Sequence, residues 1–268
     1  MAATGALDPA RFHLPYCGAP PDPATLFSRW NLDPVLLATL LALALGYAVI
    51  SANAGLEPAA KRRDRRVWFY GGWLIGSAAL TSPLCALSVS LFSARVGQHM
   101  VLETIAAPMI AAGLPPLGTS RPVHTIAAAG LFAACLWFWH APGPYAATFD
   151  GGWTYWLMHV TAFGAALWLW RTLFHADEHR VGVELVAALA TSLQMGFLGA
   201  LLTFAGRPLF AVHAYTTGSW GLTPLEDQQL GGVIMWIPAG GVCLVAIIVA
   251  LTTALRRSES RLLAAARA

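Results

Sequence analysis

Seven apolar stretches separated by short polar connections constrain this chain more than any other feature. They lie at 34–53, 67–83, 97–114, 123–141, 152–173, 182–204 and 228–254. Runs of about 17–25 apolar residues are long enough to cross a hydrocarbon layer as helices. In lipid every backbone N–H and C=O must be satisfied within its own segment or a closed barrel, so such a pattern folds as a helical bundle. The charge content agrees: 11% of residues are charged, against about 25% in a typical soluble domain. The expected fold is all-α, a polytopic membrane protein built as a bundle of seven transmembrane helices. The second run is short, and 84–96 reads as an interfacial helix.

The basic residues set the direction of threading. Lys61, Arg62, Arg63, Arg65 and Arg66 follow the first run, and Arg121, Arg171, Arg180, Arg256, Arg257, Arg261 and Arg267 fall on the same face; only Arg11, Arg29, Arg95 and Arg207 fall on the other. Cytoplasmic loops carry the excess of Lys and Arg, so the N-terminus is expected outside and the C-terminus inside. Three regions follow: an extracytoplasmic Pro-rich tail at 1–33, a membrane domain at 34–254 and a cytoplasmic basic tail at 255–268. The tail lacks a basic start and an apolar h-region, so the first helix is expected to act as the insertion signal. The net charge of +3 belongs to this topology and gives no reason to expect nucleic acid as a partner.

Cys17, Cys85, Cys135 and Cys243 are far apart and form no CxxC pair, which argues against a disulfide framework or a zinc ribbon. Cys17 then reads as an unpaired thiol, and Cys135 and Cys243 as small core residues.

The residues that carry chemistry are the polar ones inside the apolar runs, where they are costly and usually functional. With the expected threading, His99, His140 and His159 all fall at the extracytoplasmic side. His99 and Glu103 are one helical turn apart and share a face. Glu103 has three readings: a proton acceptor, a partner that orients a ligating histidine, or an ion-pair partner of Arg95. His140 closes the fourth run among Trp137, Trp139 and Tyr145, where a solvated interfacial histidine is as good a reading as a ligand. His159 lies within the fifth run, next to Met158. Asp227, Gly231 and Met235 are spaced by four at the start of the seventh run. Asp227 reads equally as a helix N-cap or first-turn dipole partner. Gly196 and Gly199 allow close helix packing.

Imidazole with thioether favours copper, since soft ligands suit Cu(I). The candidate set is His99, His140 and His159 as ligands, Met100, Met158 and Met235 as soft partners, and Glu103 and Asp227 as supporting groups or groups at the mouth. Haem held by two facing histidines is the rival. His13 and Cys17 offer an outer capturing pair, although a Pro-rich tail with one thiol is more simply a tail. His124, His175 and His179 read as solvated loop residues. The chain has no nucleotide loop, Ser–His–Asp set or HExxH helix.

The segments RWNLDPVLL (29–37), QHMVLETIAAPM (98–109), WHAPGPY (139–145), the MH pair at 158–159 and LTPLEDQQLGGVIMWIP (222–238) together resemble the CtaG-type cytochrome c oxidase assembly factors. The resemblance runs from about residue 12 to 254, and its last motif is the most specific. It implies a bacterial inner-membrane, multi-pass protein that is not an enzyme and aids maturation of a haem–copper oxidase by delivering copper. Its implied partners are the oxidase catalytic subunit, a periplasmic copper chaperone and the lipid bilayer. His99, His140, His159 and Asp227 fall on the family's polar pattern. Arg95 departs from it, standing where many relatives carry a histidine; if that histidine is a ligand, this chain has either lost it or substitutes Met100, Glu103 or His213. A haem-binding electron carrier and a proton or small-solute transporter are the alternatives. The chain lacks the repeated halves common in transporters.

Overall fold

The computed structural model describes residues 14–52, 58–115, 122–174 and 181–236, with scattered positions between 240 and 259. Every regular element among the described residues is helical. α1 spans Pro34–Ala52 and α2 Ala59–Thr81; α3 (Pro83–Ser90) and α4 (Phe92–Met100) follow in short succession. A π-helical turn at Val101–Ala106 joins α4 to α5 (Ala107–Gly113). α6 covers Pro122–His140, α7 Pro142–Ala147, α8 Gly152–Phe174, α9 Val181–Thr203 and α10 Pro224–Ile234.

α1, α6 and α9 are long and apolar enough to cross a membrane, and the α2–α3 pair, bent by 51°, qualifies as a broken span. These apolar helices mark a membrane protein. The run expected at 67–83 begins earlier than its apolar residues do: the basic cluster Lys61–Arg66 already forms the first turns of α2, because Lys and Arg are good helix formers. The run expected at 97–114 is divided into α4, the π turn and α5. Beyond Trp236 most of the last run lies outside the described residues, as do His13, His175 and His179.

Local chemistry explains the breaks. A proline pushes the residue before it into an extended conformation, and Ser82, before Pro83, has φ −73° and ψ 170°. Ala141 before Pro142 is likewise extended and ends α6 at His140. Within the 92–113 run, Pro108 has no N–H to give the carbonyl of Thr104 and crowds it, and the turn ahead of it widens to π geometry. Asp33 opens α1 by accepting from the N–H groups of Val35 (2.7 Å) and Leu36 (3.2 Å). Thr223 and Glu226 form a reciprocal capping box at the start of α10, the arrangement that satisfies two orphan donors of a helix N-terminus.

α2 packs on α5, α5 on α8, α8 on α6, α6 on α9, and α10 against both α9 and α4. Small residues permit the closest of these approaches. A Cβ on Gly232 would fall 2.6 Å from the carbonyl oxygen of Gly199, and one on Gly113 would fall 2.5 Å from the backbone nitrogen of Phe69. Gly199 therefore fulfils the expected packing role; Gly196 is looser, 3.4 Å from Trp236 by the same construction. A central apolar cluster gathers Phe92, Met100, Phe132, Leu136, Trp170, Met195, Leu198 and Met235.

One expectation is overturned. Cys17 is not an unpaired thiol: it forms a disulfide with Cys85, 68 residues away. The pair ties the N-terminal segment to α3. No local spacing announces it, because only tertiary packing of that segment against the bundle brings the two residues together.

Candidate functional site

α4 and the π turn carry Arg95, His99 and Glu103 on one stripe, four residues apart. The position of that stripe is set from another helix. Asp227 of α10, fully buried, accepts from the N–H of Phe92 (2.7 Å), the N–H of Ser93 (3.1 Å) and the hydroxyl of Ser93 (2.5 Å). It thus caps α4 across the bundle. The reading of Asp227 as the N-cap of its own helix is corrected, since Thr223 holds that place. On the deeper side the carbonyl of Glu103 accepts from Trp170 Nε1 at 2.8 Å, a bond that holds the π turn against α8.

The three histidines share one device. His99 Nδ1 lies 3.1 Å from Glu103 Oε1, His140 Nδ1 lies 2.8 Å from the carbonyl of Leu136, and His159 Nδ1 lies 3.0 Å from the carbonyl of Tyr155. A carbonyl only accepts, so for His140 and His159 the neutral ring carries its proton on Nδ1 and leaves the Nε2 lone pair free. Nε2 of His99 and of His159 are buried with no hydrogen-bond partner, although most buried polar atoms have one. The two rings are neighbours, with centroids 4.9 Å apart. Glu103 therefore pairs with His99, not with Arg95.

A cavity of about 30 Å³ opens beside them, lined among others by Arg95, His99, Glu103, His140, Tyr145 and Met158. That exceeds the roughly 10–15 Å³ one water needs on this measure. Of the expected soft partners, Met158 alone lines this space. Met100 and Met235 are buried in the apolar cluster with Phe92 and Leu198, and Asp227 is committed to the α4 cap. Among the described residues no group of three or more His, Cys, Asp and Glu side chains is arranged to hold a metal ion. What the structure does bring together is two unpartnered imidazole nitrogens, a carboxylate and a thioether.

Arg95 and the tyrosines complete the surroundings. Arg95 is 4% exposed, and its Nε and Nη1 have no hydrogen-bond partner. Its guanidinium carbon sits 4.3 Å from the ring centre of Phe149, 5.2 Å from that of Tyr145 and 5.7 Å from that of Tyr155. Tyr155 lies tilted against the His159 ring, centroids 4.2 Å apart, and stacks on Tyr16 at 4.8 Å. Neither Tyr155 nor the aromatic seat of Arg95 was legible as part of a site, since each is an ordinary residue at the edge of an apolar run. Only the charge of Arg95, just ahead of the third run, was a signal.

Two groups in the connecting segments are electrostatically distinct. His213, in the 205–223 connection, is buried and meets the Tyr145 hydroxyl at 2.7 Å through Nε2; burial, aided by the Arg95 charge, pushes its pKa down to about 3. Tyr16 donates to Asp33 at 2.8 Å. Burial, then this bond, pushes its hydroxyl up to about 12, while the same bond holds Asp33 below the usual carboxylate range.

Comparison with curated proteins returned no match, and neither did comparison with solved structures. The family model described as cytochrome c oxidase caa3 assembly factor (Caa3_CtaG) matches residues 43–257. The match spans most of the chain, taking in α2 through α10 and with them every histidine and carboxylate of the cavity, and the protein therefore belongs to the caa3-type cytochrome c oxidase assembly factor family.

Proposed function

We propose that this assembly factor holds a copper ion between the Nε2 atoms of His99 and His159, with Met158 and His140 at hand, and presents it to the catalytic subunit of the oxidase. The carrying observation is the pair of adjacent, buried, unpartnered Nε2 atoms on rings anchored through Nδ1. An imidazole whose far nitrogen is tied to a carbonyl or carboxylate is the usual form of a metal-ligating histidine. Cu(I) accepts few ligands and favours thioether and imidazole, so two rings and a methionine fit it where a divalent ion would ask for more. Glu103 orients His99 and offsets positive charge in a buried place. Few and neutral ligands suit a site that must release its cargo. A seven-span bundle with the N-terminus outside the bacterial inner membrane would put this cluster on the side of a periplasmic copper donor.

Haem is the weaker reading. The His99 and His159 rings, with centroids 4.9 Å apart, leave no room for a macrocycle between them. The proton-relay reading is less favoured, because beside Glu103 and the histidines the cavity is walled by Val96, Phe132, Leu136 and Ala162, which offer a proton no acceptor.

The test is copper per chain in detergent-purified protein. The protein is loaded anaerobically with Cu(I) kept reduced by ascorbate, which leaves the disulfide intact, and then desalted. Wild type should retain about one copper, and the His99→Ala, His140→Ala, His159→Ala triple variant none. Equal copper in both proteins, or none in wild type, would overturn the reading.

A further inference from the structure

The Cys17–Cys85 pair has polar side chains beside both of its sulfurs. A disulfide sulfur has no proton to give, so the Tyr155 hydroxyl is the donor to both sulfurs, 3.4 Å from Cys17 Sγ and 3.7 Å from Cys85 Sγ. Asn31 Nδ2 donates to Cys85 Sγ at 3.5 Å. Hydrogen bonds of this kind stabilise a thiolate far more than a neutral disulfide, and donors and cations are what make a cysteine pair reactive. The nearby cation is Arg95, on the face of that same tyrosine, its guanidinium carbon 5.7 Å from the Tyr155 ring centre. Its buried guanidinium has two unpartnered nitrogens and faces aromatic rings, Tyr155 among them; no carboxylate among the described residues pairs with it. A desolvated charge without a counter-ion is costly, and ring faces offset only part of that cost.

We propose that Cys17 and Cys85, when reduced, form a bis-thiolate Cu(I) site whose negative charge is matched by Arg95. Thiolate is the softest ligand a protein offers and selects Cu(I). The complex of one Cu(I) with two thiolates carries one net negative charge, the counter-ion that Arg95 lacks in the disulfide form. The site lies one side chain from the imidazoles: Tyr155 contacts both sulfurs and its ring lies against that of His159, which neighbours His99.

The step that opens the site needs a dithiol reductant. Its thiolate attacks Cys17 Sγ, the half-buried sulfur. The Cys17–Cys85 bond breaks, Cys85 leaves as thiolate, and a mixed disulfide forms at Cys17. The reductant's second thiolate then closes its own disulfide and releases Cys17. Two electrons pass to the cysteine pair, and the reductant's two protons end on the two thiols. Cu(I) displaces both protons without changing oxidation state.

The test compares full-length protein in its oxidised form with the same protein reduced anaerobically and freed of reductant. Each is loaded with Cu(I), and copper per chain is read beside the near-ultraviolet absorption of the thiolate–Cu(I) bond. Reduction should add about one copper and the absorption band, in wild type and equally in the His99→Ala, His140→Ala, His159→Ala variant. The Cys17→Ser, Cys85→Ser variant should gain neither, and where it does not fold, reduced wild type alkylated before loading takes its place. Arg95→Met should weaken the reduced site roughly tenfold, the loss of one favourable charge pair in a partly buried setting. Reduced wild type with no more copper than oxidised, or added copper that survives loss or alkylation of the cysteines, would overturn the proposal. The imidazole reading is decided separately, by the oxidised proteins.

Discussion

Asp227→Asn separates a helix cap from a metal-binding group, because the two roles respond to different parts of the side chain. The carboxylate receives three bonds at the start of α4, from two backbone N–H groups and the Ser93 hydroxyl. Asparagine keeps one accepting oxygen and turns an NH₂ toward a second donor. At least one buried backbone N–H is then orphaned, at about 1–3 kcal/mol. The surviving bonds lose their charge assistance, which roughly doubles the strength of such contacts. The sum is about 3 kcal/mol, and at roughly 2–4 °C per kcal/mol for a chain of this size Tm should fall by about 6–12 °C. The assay is thermal unfolding in detergent followed by tryptophan fluorescence, with Cu(I) stoichiometry measured well below the transition. Stoichiometry should be unchanged, since Asp227 does not line the cavity. An unchanged Tm with lost copper would refute the assignment of Asp227 as a cap.

Two further predictions concern stability. His213 has a folded pKa lowered from 6.5 to about 3, so its neutral form is native. Stability is then whole above pH 6.5 and declines as the pH falls from about 6.5 toward about 3, because the unfolded chain takes up the proton first. Between about pH 6.5 and 5.5 this histidine contributes ~1 kcal/mol of acid sensitivity, since the unfolded ring is already half protonated at the upper end. His213→Gln should flatten the dependence of Tm on pH between about 6.5 and 5.5 by that share, and an identical slope in the variant would show that His213 is not the group responsible. Gly232→Ala should cost about 1–3 kcal/mol by overpacking, since the new Cβ meets Thr203 Oγ1 at 2.5 Å and the Gly199 carbonyl at 2.6 Å. Gly164→Ala, inside α8 with open space around it, is the control and should hold or slightly raise Tm, since alanine is the better helix former; equal destabilisation by the two would refute the close α9–α10 approach.

Part of the site was legible because helix periodicity is local. The four-residue spacing put His99 and Glu103 on one face, but the choice between His99 and Arg95 as the partner of Glu103, and the entry of Met158 into the cavity, came only from the packed structure. Methionine was a poorer guide. Met100, Met158 and Met235 all sit in apolar runs and all are buried, yet only Met158 reaches the cavity; a flexible apolar side chain fills core and site equally well. The π turn was hidden because its cause, Pro108, marks a disturbed helix without saying how the disturbance resolves.

The sequence by itself determined the helical class, the apolar stretches and the histidines worth attention, because each depends on hydrophobic length or on neighbours three and four residues apart. Only the tertiary structure decided that Asp227 caps a helix 135 residues earlier, that Cys17 meets Cys85 across 68, and that Arg95 lies among three rings. Those pairings join helices distant in the chain. They depend on how ridges, small residues and caps let one helix settle on another, and no short-range pattern records that.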